Sequence, residues 1–152
     1  MRYQSLAEMF LSQAERHGGR VLYRFARNGH WETYTWREAL LRVQEIALGL
    51  VSLGVKKSDR VALFSANRVE WSLIDWANIC IGALTVPVYS SSTPSQVCHI
   101  LAHSGATVLF VESLERLAKL DPFSPAVRQA SKIVVIDPAA GSMPSGIEAG
   151  RI

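Results

Sequence analysis

Several places in the 152-residue sequence carry side chains whose type or spacing suits chemistry. Ser65-Ala66-Asn67 and Ser90-Ser91-Ser92-Thr93 are short polar runs, each directly after an apolar run that reads as a strand. In open α/β sheets ligands bind beyond the carboxyl ends of strands, so both runs stand where a ligand would be met. Turn formation and helix capping account for the serines, Thr93 and Asn67 without any ligand. His99 and His103 stand four apart on one expected helix, a spacing compatible with a metal. No third ligand of suitable spacing accompanies them, so no metal site is expected. Cys80 and Cys98 form neither a CxxC pair nor a zinc spacing and fall on apolar helix faces, which reads as buried, reduced thiols. The sequence has no GxxxxGK[ST], no GxGxxG and no GxSxG, so it lacks these phosphate cradles and the nucleophile elbow. No catalytic residue is assigned.

The elements that must position these runs are organised around residues 60–90. Val61-Ala62-Leu63-Phe64 is too short for a helix and reads as a buried strand. From Val69 to Ile81 apolar residues cover nearly the whole helical circumference, which predicts a helix buried on nearly every side. Glu70 sits at its start, where the helix dipole favours a carboxylate, and Gly82 stops it. Leu84 to Tyr89 runs out as a second strand, completing a βαβ unit that requires a parallel sheet.

Before this unit, Ser5-Leu6-Ala7-Glu8 reads as a capping box for a helix that Gly18-Gly19 ends. Asn28-Gly29 between two β-rich runs signals a hairpin. Thr35-Trp36-Arg37-Glu38 caps a second helix, with Ala39, Leu40, Val43, Ile46, Ala47, Leu50 and Leu53 facing inward and Gly54 capping its end. After the unit, Thr93-Pro94-Ser95-Gln96 opens a helix stopped by Ser104-Gly105. Residues 107–111 give a third parallel strand, Ser113 caps a short helix through Leu120, and residues 132–136 give a fourth strand. Asp121-Pro122 and Ser124-Pro125 read as breaks between them. The fold class is therefore α/β: a mostly parallel sheet with flanking helices plus an N-terminal helix and β-hairpin. Residues 1–137 are expected to form one α/β lobe, and residues 138–152, without periodicity, a mobile tail.

Hydrophobic residues make up 49% of the chain and mean hydropathy is +0.14, rich enough to suggest apolar surface awaiting a cover, although a parallel sheet buried on both faces raises it too. Net charge is +3, with Arg and Lys dispersed among acids, so nucleic-acid binding is not expected. Trp31, Trp36, Trp71 and Trp76 read as core and hairpin packing rather than a stacking platform. The start lacks a signal-peptide core and no apolar run is long enough to span a bilayer. The chain reads as cytoplasmic, with peripheral membrane association left open by its mild positive charge.

Ser-Ala-Asn-Arg-Val-Glu-Trp at residues 65–71, Gly-Ala-Leu-Thr-Val-Pro-Val-Tyr at 82–89, Tyr34-Thr35-Trp36 and Leu53-Gly54-Val55 together resemble the AMP-forming acyl-CoA synthetases, most of all the long-chain fatty acid branch. The resemblance runs in order over residues 6–137 and implies the first lobe of the adenylate-forming fold. It implies a parent activity that joins a fatty acid to coenzyme A with ATP, through an acyl-adenylate, using Mg. It also places Ser91, Thr93 and His99 near the coenzyme A entrance. The family's Ser/Thr/Gly-rich phosphate loop ending in lysine does not occur here, and its adenylate segment, hinge and catalytic lysine are expected beyond Ile152. No cofactor is therefore expected in this chain, which would be silent alone. Its expected partners are the remainder of a synthetase or a second copy through an exposed apolar face. A stand-alone binding or interaction module derived from that family is the competing expectation.

Overall fold

The computed structural model describes residues 3–120 and 124–138. Along the chain it forms α1 (Leu6–His17), β1 (Val21–Arg27), β2 (His30–Thr35), α2 (Trp36–Ser52), β3 (Arg60–Phe64), α3 (Val69–Ile81), β4 (Leu84–Val88), α4 (Pro94–Ser104), β5 (Val108–Ser113), α5 (Leu114–Lys119), α6 (Pro125–Gln129) and β6 (Lys132–Asp137). β1 and β2 pair antiparallel through Asn28 (φ 50°) and Gly29 (φ 78°), the two positions where the turn needs a left-handed backbone. The other four strands form one parallel sheet in the order β4-β3-β5-β6. The α/β expectation holds.

Alternation along the central strands divides the core in two. Val61 and Leu63 of β3, with Val108, Phe110 and Val134, face Phe10 of α1, Val43 and Leu50 of α2, and Leu73 and Ala77 of α3. Ala62, Phe64, Leu109, Val111 and Val135 face Val97 and Leu101 of α4, Leu114 and Leu117 of α5, and Val127 of α6. The result is three layers, helices on both sides of a sheet whose inner strands are apolar on both faces. No residue of α3 is exposed, as its all-round apolar sequence requires. Phe10 locks α1 onto this side, stacked on Trp76 at 4.5 Å and tilted against Trp36 at 5.9 Å.

The capping expectations meet mixed outcomes. Thr35 with Glu38 and Thr93 with Gln96 form complete reciprocal boxes, and Pro94 takes the first turn of α4. Ser5 accepts from the Glu8 amide, but the Glu8 carboxylate turns to the Gln4 amide at 2.6 Å, so that box is only half closed. Asn67 does not cap α3; the cap position is Arg68, with no side-chain hydrogen bond. Ser124-Pro125 starts α6 instead of only breaking the chain, with the Ser124 hydroxyl accepting from the Val127 amide. Asp121-Pro122 and the expected mobile tail from residue 139 on lie outside the described residues.

Two burial expectations need correction. Trp31 is 74% exposed: it pairs with the exposed Ala26, which alternates along β1 with Tyr23 and Phe25, both packed against the core. Cys80 and Cys98 are free but only half-buried. On α2, Leu41, Leu48 and Val51 form an exposed apolar stripe at i, i+7 and i+10, opposite the face that packs on the sheet. Among the described residues no helix is long and apolar enough to cross a membrane.

Candidate functional site

The carboxyl ends of β3, β4 and β5 bring three loops to one rim. α3 follows β3 on one face of the sheet, whereas α4 and α5 follow β4 and β5 on the other. Chain directions therefore diverge around the end of β3, the arrangement that opens a ligand crevice in doubly wound sheets.

Ser91 and His99 meet on this rim. They line a groove of about 700 Å³ together with Tyr89, Ser92, Ser95, Gln96 and Ile100, within the size range of small-molecule sites. Thr93 stands beside the groove with its groups engaged: its amide donates to Gln96 Oε1 at 2.8 Å and its hydroxyl accepts from the Gln96 amide. Thr93 is thus a capping residue, while Ser91 and His99 present side chains to the groove. His99 lies 6.0 Å from His103, ring to ring, without further metal-ligating neighbours: among the described residues no three His, Cys, Asp or Glu side chains cluster to hold a metal. The groove lining offers hydroxyls, an amide and an imidazole but no fixed charge, which suits an uncharged polar chain better than a phosphate.

A second crevice of about 570 Å³ lies between the hairpin and the loop of residues 66–68. The charges of Arg27, Arg68 and Glu70 in its lining are already matched. Arg27 Nη2 reaches Glu70 Oε1 at 2.7 Å, Arg68 Nε reaches Glu70 Oε2 at 2.7 Å, and Arg27 Nη1 reaches Glu32 at 3.3 Å. Burial pushes the Glu70 carboxyl up, but the hydrogen bond from Arg68 and the charges of Arg68 and Arg27 outweigh it, so the group sits below the ordinary carboxylate range. Burial pushes the Tyr23 phenol up, against the hydrogen bonds of Ser72 and Trp76, and pushes up the Cys80 thiol as well. None of these groups is arranged as a nucleophile with a base in reach.

Glu112 and Arg116 were not singled out by sequence. Their i, i+4 spacing was the available signal, but it runs across a strand-to-helix junction and resembles an ordinary surface pair. The residues present do not fit ATP or Mg: the rim has neither a glycine-built phosphate cradle nor a carboxylate cluster.

The parallel sheet, the rim and the sequence of its loops define an adenylate-forming type of domain. Residues 10–150 match the AMP-binding enzyme family, and the chain belongs to it. The long-chain fatty acid–CoA ligase FadD15 of Mycobacterium bovis is 40% identical over 131 residues, which are 84% of this chain and 21% of that protein. The uncharacterised protein Rv1549 of Mycobacterium tuberculosis is 33% identical over 81 residues, 53% of this chain and 46% of that protein. Coronafacic acid ligase from Pectobacterium brasiliense superposes with a TM-score of 0.78 at 25% identity, covering 88% of this chain and 26% of that one. The chain thus spans about a fifth of the length of the ligase FadD15.

Proposed function

We propose that this chain is the first lobe of a long-chain fatty acid–CoA ligase. The whole activity would convert ATP, a fatty acid and coenzyme A to acyl-CoA, AMP and diphosphate by way of an acyl-adenylate. The observation that carries the reading is the 40% identity to FadD15 across 84% of the chain. In this reading residues 1–137 are scaffold, and the groove with Ser91 and His99, its turn closed by Thr93, flanks the coenzyme A entrance. Its uncharged donors and acceptors suit the amide-bearing arm of coenzyme A. The lobe performs no adenylation alone, since neither the phosphate loop nor a catalytic lysine is present to hold ATP. The apolar stripe of α2 would be covered by the remainder of a synthetase or by a second copy.

The test is fatty-acid-dependent exchange of pyrophosphate into ATP by the purified 152-residue protein, alongside titration with coenzyme A. No exchange and weak, saturable binding of coenzyme A is the expected result. Exchange above background would overturn the claim that the lobe is silent, and absence of binding would overturn the entrance.

A second reading, a self-sufficient non-catalytic module, is favoured by one observation: the 81 residues matched in Rv1549 make up 46% of that protein, so a relative of similar size exists. It predicts a monodisperse monomer, whereas a lobe with an uncovered apolar stripe self-associates.

A further inference from the structure

Two side chains span the crevice at the end of β3. Glu112, at the end of β5, accepts through Oε2 from the Ala66 amide at 2.9 Å and forms an ion pair with Arg116, whose Nε lies 3.1 Å away. Arg116, in α5, donates through Nη1 to the Ser90 carbonyl at 2.7 Å and lays its guanidinium over the Phe64 ring at 5.0 Å. Both side chains are about a quarter exposed. Three strand ends are thus joined through one carboxylate and one guanidinium: β3 through Phe64 and Ala66, β4 through Ser90, β5 through Glu112. Among the described residues the other hydrogen bonds of the turn after β4 are local, from the Ser92 amide to the Tyr89 carbonyl and between Thr93, Ser95 and Gln96. What ties that turn to the body of the sheet through a hydrogen bond is Arg116.

We propose that Arg116 and Glu112 form a latch that holds the loop at residues 65–68 and the turn at residues 90–93 in one fixed relation, and that Arg116 is thereby a positioning residue for the ligand groove. The latch stands on the geometry alone; the positioning role rests on the proposed coenzyme A entrance. An isolated i, i+4 ion pair would leave both loops independent. The fork of arginine is required because Nε and Nη1 serve Glu112 and Ser90 simultaneously while the plane stacks on Phe64; the single ammonium of lysine reaches one partner at a time.

The test uses the 152-residue protein, with amide hydrogen exchange read by NMR at Ser92 and Ala66. In Arg116→Met both amides exchange about tenfold faster, the loss expected for one charge-assisted hydrogen bond. In Arg116→Lys the Ala66 amide returns close to wild type while Ser92 stays fast. Glu112→Ala frees Ala66 directly and Ser92 through the released guanidinium. Unchanged exchange at Ser92 in all three variants overturns the latch, and so does uniform acceleration of every amide, which would report global destabilisation only. Coenzyme A titration then separates the two layers. Binding weakened about tenfold in Arg116→Met and not restored in Arg116→Lys supports positioning; wild-type affinity in a variant with a loosened Ser92 overturns it. A wild-type protein that binds no coenzyme A overturns the entrance and with it the positioning role, and the amide data alone then decide the latch.

Discussion

Glu70 joins parts of the chain that are 43 residues apart, and its removal should cost stability in a pH-dependent way. Glu70→Gln keeps the size of the side chain but removes the charge facing Arg27 and Arg68, each 2.7 Å away. Hydrogen bonds to charged groups contribute about 1.5–3 kcal/mol when sheltered and exposed pairs about 0.2–1 kcal/mol. With Glu70 24% exposed and its partners 26% and 39% exposed, screening is substantial. About 1 kcal/mol per pair is reasonable, hence about 2 kcal/mol for the substitution. The sign with pH follows from the depressed folded-state pKa of Glu70. Its stabilisation is present above the unfolded value, about 4.3, and is lost as pH falls through the lower folded value. Urea unfolding at 25 °C should therefore show wild type above Glu70→Gln by about 2 kcal/mol at pH 7, with unchanged m, and the gap should close toward pH 3. High salt at pH 7 should narrow it. A gap that is the same at pH 7 and pH 3 would refute the electrostatic account and assign the loss to packing.

Phe10→Ala, at a fully buried ring stacked on Trp76, should cost about 3–5 kcal/mol in urea unfolding. Asn78 is fully buried, donates to Thr85 Oγ1 at 2.9 Å and has no partner for its Oδ1 among the described residues. Replacing both partners with Asn78→Leu and Thr85→Val should leave thermal stability within about 1 kcal/mol of wild type or raise it, whereas Asn78→Asp should cost about 3 kcal/mol at neutral pH. Leu41→Lys with Leu48→Lys should shift sedimentation toward monomer while leaving the melting temperature nearly unchanged, since both side chains face solvent in this fold.

What could be read from the sequence was what local physics decides. α3 was legible because nine apolar residues around one helical circumference leave it nowhere but the interior, and Gly82 ends it in the left-handed conformation at φ 76°. Thr35, Thr93 and Ser113 were legible because a cap acts within four residues. α6 escaped notice because five residues carry too little periodicity to outweigh two prolines. The half-closed box at Ser5 turned on a competing amide one residue away, and the exposure of Trp31 on which hairpin face packs against the core. Neither is encoded in spacing. The site was half legible: the rim followed from strand ends, and Ser91 and His99 do share a groove. Its bracing by Arg116 reaches 26 residues back to Ser90, and no local pattern announces a partner at that distance.

The sheet order also sets a timetable for synthesis. β3 is apolar on both sides, with Val61, Ala62 and Leu63 fully buried, yet its hydrogen-bonding neighbours β4 and β5 begin at Leu84 and Val108. At about 5–20 residues per second, a ribosome takes several seconds to make the second neighbour after finishing the first strand. Through that interval the most apolar strand of the chain has at most one paired edge, while the hairpin before it closes on its own turn within microseconds. The local contacts of the β1–β2 hairpin are available first, whereas β3 lacks its second hydrogen-bonding neighbour until β5 arrives.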